Sequence, residues 1–181
     1  VNKITVIPPG YNDVIFSPLS LQEKNKLKHQ FEYNDLDGHK QHIDLAGKKV
    51  VSSLGRVVRD KGFSELSRSM AEIMSEDPSV VYMVSGEKGN PVTDECREIM
   101  KGFEDRTIFL PSLNQTEMAR VYRASTIFVM ASLNEAFGMV PIEAMGCKTA
   151  VIVGRSGFND FANCADIRDD SLDFSKAIGL Y

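Results

Sequence analysis

Glu135 and Glu143 are separated by seven residues, Ala-Phe-Gly-Met-Val-Pro-Ile, and that interval is the part of the chain best equipped to hold an anion. Gly138 lets backbone approach a ligand closely. Pro141 is tolerated in the first turn of a helix and disfavoured in its interior. The spacing therefore predicts Glu135 on a loop and Glu143 just inside a helix that starts near Met139. The unpaired amides opening such a helix form an anion site. Two acceptor-only side chains beside it suit a ligand with hydroxyls on both flanks of a phosphate. A nucleotide sugar has that shape.

A second candidate group lies in Leu54-Gly-Arg-Val-Val-Arg-Asp-Lys-Gly62, where Arg56 and Lys61 stand five residues apart between a strand and a helix. Arg offers a planar fork for phosphate oxygens and Lys a mobile point charge. A diphosphate carries about two negative charges, and two cations with the roughly half charge of a helix N-terminus balance it. Taken singly, each cation reads as a solvated loop residue and each glutamate as a surface carboxylate. They become one site only if the fold carries both segments to the same edge.

The elements between them predict that it does. Strands are expected at Ile4–Ile7, Lys49–Leu54, Val80–Val84, Thr107–Leu110, Thr126–Met130 and Thr149–Val153. Helices are expected at Leu21–Phe31, Phe63–Met74, Asp94–Phe103, Gln115–Arg123 (capped by Asn114) and Leu172–Ile178. Turn chemistry marks Asn34–Gly38 within an otherwise polar stretch. The strands are apolar runs rather than in/out alternations, and they alternate with helices. That pattern predicts an α/β fold, a doubly wound, mostly parallel Rossmann-like sheet with helices on both faces. In such sheets ligands bind outside the carboxyl ends of the strands. Gly-rich loops near residues 55, 86, 138 and 154 follow four of the strands and are expected to gather there.

Bulk properties narrow the classes. A chain of 181 residues is expected to form one domain with a real core. A formal net charge of −4 argues against a general nucleic-acid binder. No apolar run has the length of a membrane span, and no signal peptide is visible. The three cysteines, Cys96, Cys147 and Cys164, have neither metal-ligand spacing nor the even count of a disulfide framework. They point to a reducing, cytoplasmic setting. The chain opens on Val1 in a strand-like segment, as a piece of a longer protein would.

Other chemistries fit less well. Paired carboxylates also serve glycosidases, but a helix following an anion-binding turn is a poor position for a group that must face a glycosidic bond. His39 and His42, with Asp37 and Asp44, have the residue types of a metal cluster in what reads as a solvated loop. His29 has no partner in view. Ser156-Gly157 lacks the G-x-S-x-G pattern of a nucleophile elbow. Neither GxGxxG nor a Walker A sequence occurs.

In order and together, these segments resemble the C-terminal domain of the GT-B glycosyltransferases of family 4. The likeness spans nearly the whole chain: Val6-Ile-Pro-Pro-Gly10, Phe16, Leu54-Gly-Arg56, Asp60-Lys-Gly62, Val84-Ser-Gly86, Ile108-Phe-Leu-Pro-Ser112, and Ser132 through Lys148 with its E-x7-E motif. Two departures stand out. Tyr11-Asn12 replaces a usual Val-Asp pair, and Ser156-Gly157-Phe-Asn-Asp160 replaces a Gly-Gly segment followed by Glu; no role is carried onto Asp160.

The resemblance implies a retaining, metal-independent sugar transfer from a nucleotide-diphosphate sugar, with no cofactor. Arg56 and Lys61 would hold the diphosphate. Glu135 would face the transferred sugar, and the backbone of Phe137, Gly138, Met139 and Val140 would contact phosphate or sugar. Glu143 would take the ribose hydroxyls, and the nucleobase would be read near Leu110. Arg56, Lys61 and Glu135 would carry the catalysis. The acceptor would bind a missing N-terminal domain, which in related enzymes often contacts membranes, so the chain alone is expected to bind donor weakly and transfer little. A non-catalytic nucleotide-sugar module is the second reading. An unrelated doubly wound enzyme, such as an epimerase, is the third and lacks its cofactor fingerprint here.

Overall fold

The computed structural model describes residues 9–132, 135–154 and 166–167. In chain order the elements are α1 (Leu21–His29), β1 (Phe31–Asn34), β2 (Lys40–Ile43), β3 (Lys49–Ser53), α2 (Phe63–Glu76), β4 (Val80–Ser85), α3 (Pro91–Ile99) and β5 (Thr107–Leu110). They continue with α4 (Gln115–Ala124), β6 (Ile127–Met130), α5 (Val140–Gly146), β7 (Ala150–Val153) and β8 (Asp166–Ile167). The expected strand Ile4–Ile7, the expected helix Leu172–Ile178, the Ser156–Asp160 segment and Cys164 lie outside the described residues.

Six strands form one sheet in the order β5-β4-β3-β6-β7-β8, and every pairing is parallel. Successive side chains on a strand point to opposite faces, and here both faces are buried. Val50, Val81, Met83, Phe128, Met130, Val151 and Val153 join α4 and α5 in one core. Their neighbours Val51, Tyr82, Val84, Ile127, Val129 and Ile152 join α2 and α3 in the other. That is why the strands read as continuous apolar runs, and the doubly wound expectation holds. The chain builds outward from β3 through β4 to β5, then crosses back and builds the other way from β6. The switch point therefore lies between β3 and β6.

Local chemistry sets the helix ends. Asn114 caps α4, accepting from the Glu117 N–H at 3.0 Å while the Glu117 carboxylate accepts from the Asn114 N–H at 2.8 Å. Ser20 and Glu23 make the same reciprocal box at α1. Two expectations need correction. The third helix runs Pro91–Ile99 rather than Asp94–Phe103, because Asn90 caps it and Pro91 occupies its first turn. Helix α1 stops at His29, and Phe31 belongs to a strand. It opens an antiparallel hairpin with pairs running from Phe31 with Ile43 to Asn34 with Lys40. Three of the four β2 residues are exposed, so that strand carried no apolar signal. The turn is held by Asp35, whose carboxylate accepts from the N–H groups of Asp37 and His39 at 2.9 Å each.

The segment before α1 is fixed by Arg123, which donates to the carbonyls of Ser17 at 2.8 Å and Ile15 at 2.7 Å. Phe16 is buried against Tyr122 there. Cys96 and Cys147 are buried free thiols. Among the described residues no helix is long and apolar enough to cross a membrane.

Candidate functional site

Parallel strands put their carboxyl ends at one edge, and β3 and β6 are neighbours there. The loop after β3 carries Arg56 and ends in a short 3-10 turn, Arg59–Lys61. Gly62 follows with φ of 68°, a left-handed conformation that glycine adopts without strain. A Cβ at Gly62 would overlap the Ala131 carbonyl oxygen. Gly62 thus seats the end of this loop directly on the backbone leading from β6 to Glu135.

The result is a contact across the switch point. The Lys61 Nζ lies 2.6 Å from the Glu135 Oε2, with the two side chains only 14% and 22% exposed. Gly138, at φ of 81°, turns the chain back toward this pair; a Cβ there would meet Met130 Sδ at 2.8 Å and Glu135 Cγ at 3.2 Å. Helix α5 opens at Val140, with Pro141 in its first turn and no side-chain cap at Met139. Arg56, Lys61, Glu135 and Phe137, Gly138, Met139 and Val140 all line one cavity of about 460 Å³. The fold therefore carries both segments to one edge of the sheet, as the alternation of strands and helices predicted. Arg56 stands exposed on its rim, whereas Lys61 is half-buried and ion-paired rather than solvated.

Two expected residues sit elsewhere. Leu110 is buried, and its carbonyl accepts from the Gly86 N–H at 2.8 Å, so it does not line this cavity. Its successors Pro111, Ser112 and Leu113 instead line a second cavity of about 600 Å³, which shares Leu54, Gly55 and Arg56 with the first. Glu143 lies one turn into α5, only 8% exposed, and is not on the wall of either cavity. The Tyr122 hydroxyl donates to its carboxylate at 3.5 Å. Burial raises the Glu143 pKa, and the Tyr122 hydrogen bond opposes that rise.

A stability prediction follows for Glu143. A carboxyl whose pKa is raised on folding contributes stability below its unfolded value that is lost as pH rises through the folded one. Glu143→Gln should remove that loss. The melting temperature of the variant relative to the parent is expected to increase from pH 5 to pH 8, by about 2–4 °C for each kcal/mol regained. A constant difference between the two proteins across that range would show that Glu143 is not held against its ionisation.

Some positioning residues escaped the sequence reading. Asn90 donates through Nδ2 to the Val57 carbonyl at 3.0 Å and to Glu87 Oε2 at 2.9 Å, while its Oδ1 caps α3. It ties the loop after β3 to the loop after β4. The Asn-Pro pair was a readable cap signal, but nothing local pointed to Val57. Similarly, the Gly55 N–H donates to the Ser85 Oγ at 3.0 Å. The histidines behave otherwise than the cluster spacing allowed. His29 pairs with Asp44, Nδ1 to Oδ2 at 3.3 Å, and so has a partner after all. Asp35, Asp37 and His39 come together at the hairpin turn, but Asp35 is engaged in holding that turn and Asp37 pairs with Lys88 at 2.6 Å.

The sequence model of a family described as glycosyl transferases group 1 matches residues 37–165. A D-inositol 3-phosphate glycosyltransferase of Segniliparus rotundus is 32% identical over 160 residues, covering 86% of this chain and 32% of that protein. The chain thus spans about a third of the length of the curated relatives it matches. Among solved structures, the C-terminal domain of a glycosyl transferase group 1 family protein (LpcC) from Francisella tularensis superposes with a TM-score of 0.75 at 22% identity, over 94% of this chain and 87% of that one. Anabaena HepE, crystallised with UDP and glucose, gives a TM-score of 0.76 at 20% identity, over 97% of this chain and 46% of that one.

Proposed function

The chain belongs to the glycosyl transferases group 1 family, and we propose that it is the donor-binding domain of a retaining enzyme of the family 4 kind. Joined to an acceptor-binding domain, it would move a sugar from a nucleoside-diphosphate sugar to an acceptor hydroxyl. One observation carries this reading: Arg56, Lys61, Glu135 and the turn from Phe137 to Val140 wall a single cavity at the sheet's switch point.

The diphosphate is assigned to the space between Arg56, Lys61 and the backbone opening α5. Two cations there would stabilise the charge that develops on the leaving diphosphate. With two cations in that place, donor binding is proposed to be metal-independent. Glu135, paired with Lys61, is assigned to the transferred sugar, from whose hydroxyls its carboxylate can accept hydrogen bonds. Glu143 is assigned to the ribose hydroxyls on the family resemblance alone; its carboxylate is buried beside Tyr122 and lines neither cavity. The nucleotide in the HepE structure supports a nucleotide-sugar donor. The acceptor is assigned to the portion of the longer relatives that this chain does not span. The presence of Arg56, Lys61, Glu135 and Glu143 together favours transfer over a non-catalytic nucleotide-sugar module.

Calorimetric titration with UDP, GDP and ADP and their sugar conjugates tests the assignment. Arg56→Ala is expected to weaken the preferred nucleoside diphosphate by about 1.5–3 kcal/mol, the worth of a charge-assisted hydrogen bond. Adding EDTA should leave the parent affinity unchanged. Equal affinity in parent and variant would remove Arg56 from the site, and binding that EDTA abolishes and a divalent ion restores would overturn the metal-free reading.

A further inference from the structure

The larger of the two cavities is walled on its outer side by a residue from the hairpin, an element outside the doubly wound core. Leu36, in the turn between β1 and β2, lines it together with Gly86, Lys88, Pro111, Leu113 and Met118. The contact is close: a Cβ built on Gly86 would lie 3.2 Å from the Leu36 Cδ1. The hairpin tip is also tied to the loop after β4, with Lys88 Nζ 2.6 Å from Asp37 Oδ1. The Asp37 carboxyl is held below its usual range, first by the Lys88 hydrogen bond and then by its charge. Three independent features thus set the tip over the carboxyl ends of β4 and β5: an apolar contact, an ion pair, and a turn locked by Asp35.

What could occupy this cavity is constrained by its neighbour. The two cavities meet at Leu54, Gly55 and Arg56. A ligand whose diphosphate is held at Arg56 must extend one arm into each, or leave one in solvent. The smaller cavity carries Lys61 and Glu135, suited to phosphate and sugar hydroxyls. The larger has leucines, a proline, a methionine and two valines on its wall, suited to the flat apolar faces of a nucleobase. We propose that the β1–β2 hairpin forms the outer wall of the nucleobase subsite, with Leu36 setting the size of base accepted. This rests on the donor-binding reading above and adds to it a determinant of base specificity outside the sheet loops.

The test compares UDP, ADP and inorganic pyrophosphate on the parent, Leu36→Ala and Leu36→Phe chains by calorimetry. Pyrophosphate reports the Arg56–Lys61 half alone and shows that each variant is folded. Leu36→Ala is expected to weaken the better-bound nucleoside diphosphate roughly 5- to 20-fold through lost apolar contact, with pyrophosphate affinity unchanged. Leu36→Phe, which narrows the subsite, is expected to weaken ADP more than UDP. If both variants keep the parent's ratios of UDP and ADP to pyrophosphate affinity, the hairpin is not a wall of the base subsite, while the donor site itself stands. If the parent binds neither pyrophosphate nor any nucleoside diphosphate, the donor-binding reading fails and this proposal with it.

Discussion

Gly62→Ala is expected to lower the melting temperature by roughly 6–12 °C, about 3 kcal/mol at the usual sensitivity for a chain of this size. Two terms combine. A side chain in the left-handed region costs about 1–2 kcal/mol, and Gly62 has φ of 68°. The new Cβ would also overlap the Ala131 carbonyl oxygen. That oxygen belongs to buried backbone just beyond β6, not to a side chain free to turn aside. Overpacking of that kind adds about 1–3 kcal/mol. Gly102 separates the terms: its φ is 91°, but a Cβ there would meet nothing within 4 Å. Gly102→Ala should therefore show the conformational cost alone, and Gly62→Ala the larger loss. Thermal unfolding of both variants, followed by circular dichroism, makes the comparison. Equal losses would mean that the approach of Gly62 to Ala131 does not fix the loop. The functional consequence is specific. Any relaxation of that overlap moves the β3 loop away from the β6 loop, and the Lys61–Glu135 contact spans those two loops.

That dependence marks how far the sequence could be read. The strand–helix alternation was legible because buried parallel strands need apolar residues on both faces, as Val80–Val84 shows. The interval from Glu135 to Glu143 was legible because Gly138 and Pro141 each permit few backbone conformations. The direct contact of Lys61 with Glu135 was not, since they stand 74 positions apart and only the strand order makes them neighbours. The hairpin was missed for a different reason. β1 alternates over only four residues, Phe31 to Asn34, and Lys40, Gln41 and His42 of β2 all face solvent, so the pair lacks the longer apolar alternation that identifies a half-buried sheet. Its register rests on hydrogen bonds from Asp35, a local effect that hydrophobic periodicity does not report. The nucleobase was expected near Leu110 from the family resemblance of the Ile108–Ser112 segment. Leu110 itself is buried with its carbonyl accepting from Gly86, and the three residues that follow it line the larger cavity.

The Lys61–Glu135 pair gives the second large effect, and its sign distinguishes a working site from a structural ion pair. Each group compensates the other at 2.6 Å in a half-buried position. A diphosphate arriving at Lys61 would gain a cation but would also meet the Glu135 carboxylate. Lys61→Ala removes the cation and leaves that carboxylate uncompensated beside the phosphates. Its cost to nucleoside-diphosphate binding should exceed the loss of one charge-assisted bond, reaching about 3–4 kcal/mol, a hundred- to thousandfold weakening. Glu135→Gln removes the repulsion and frees Lys61 from its partner. It should bind the same nucleoside diphosphate at least as tightly as the parent, although transfer by the complete enzyme is expected to fall. In the double variant the loss should be smaller by about 1 kcal/mol or more than the sum of the two single changes, a coupling within the usual range for contacting residues. Calorimetry on the four proteins closes the cycle. Parent affinity in Glu135→Gln together with strictly additive changes in the double variant would show that Glu135 does not sense the diphosphate site. A loss of affinity in Glu135→Gln as large as that in Lys61→Ala would show that the pair organises the loops rather than competing with the ligand for the lysine.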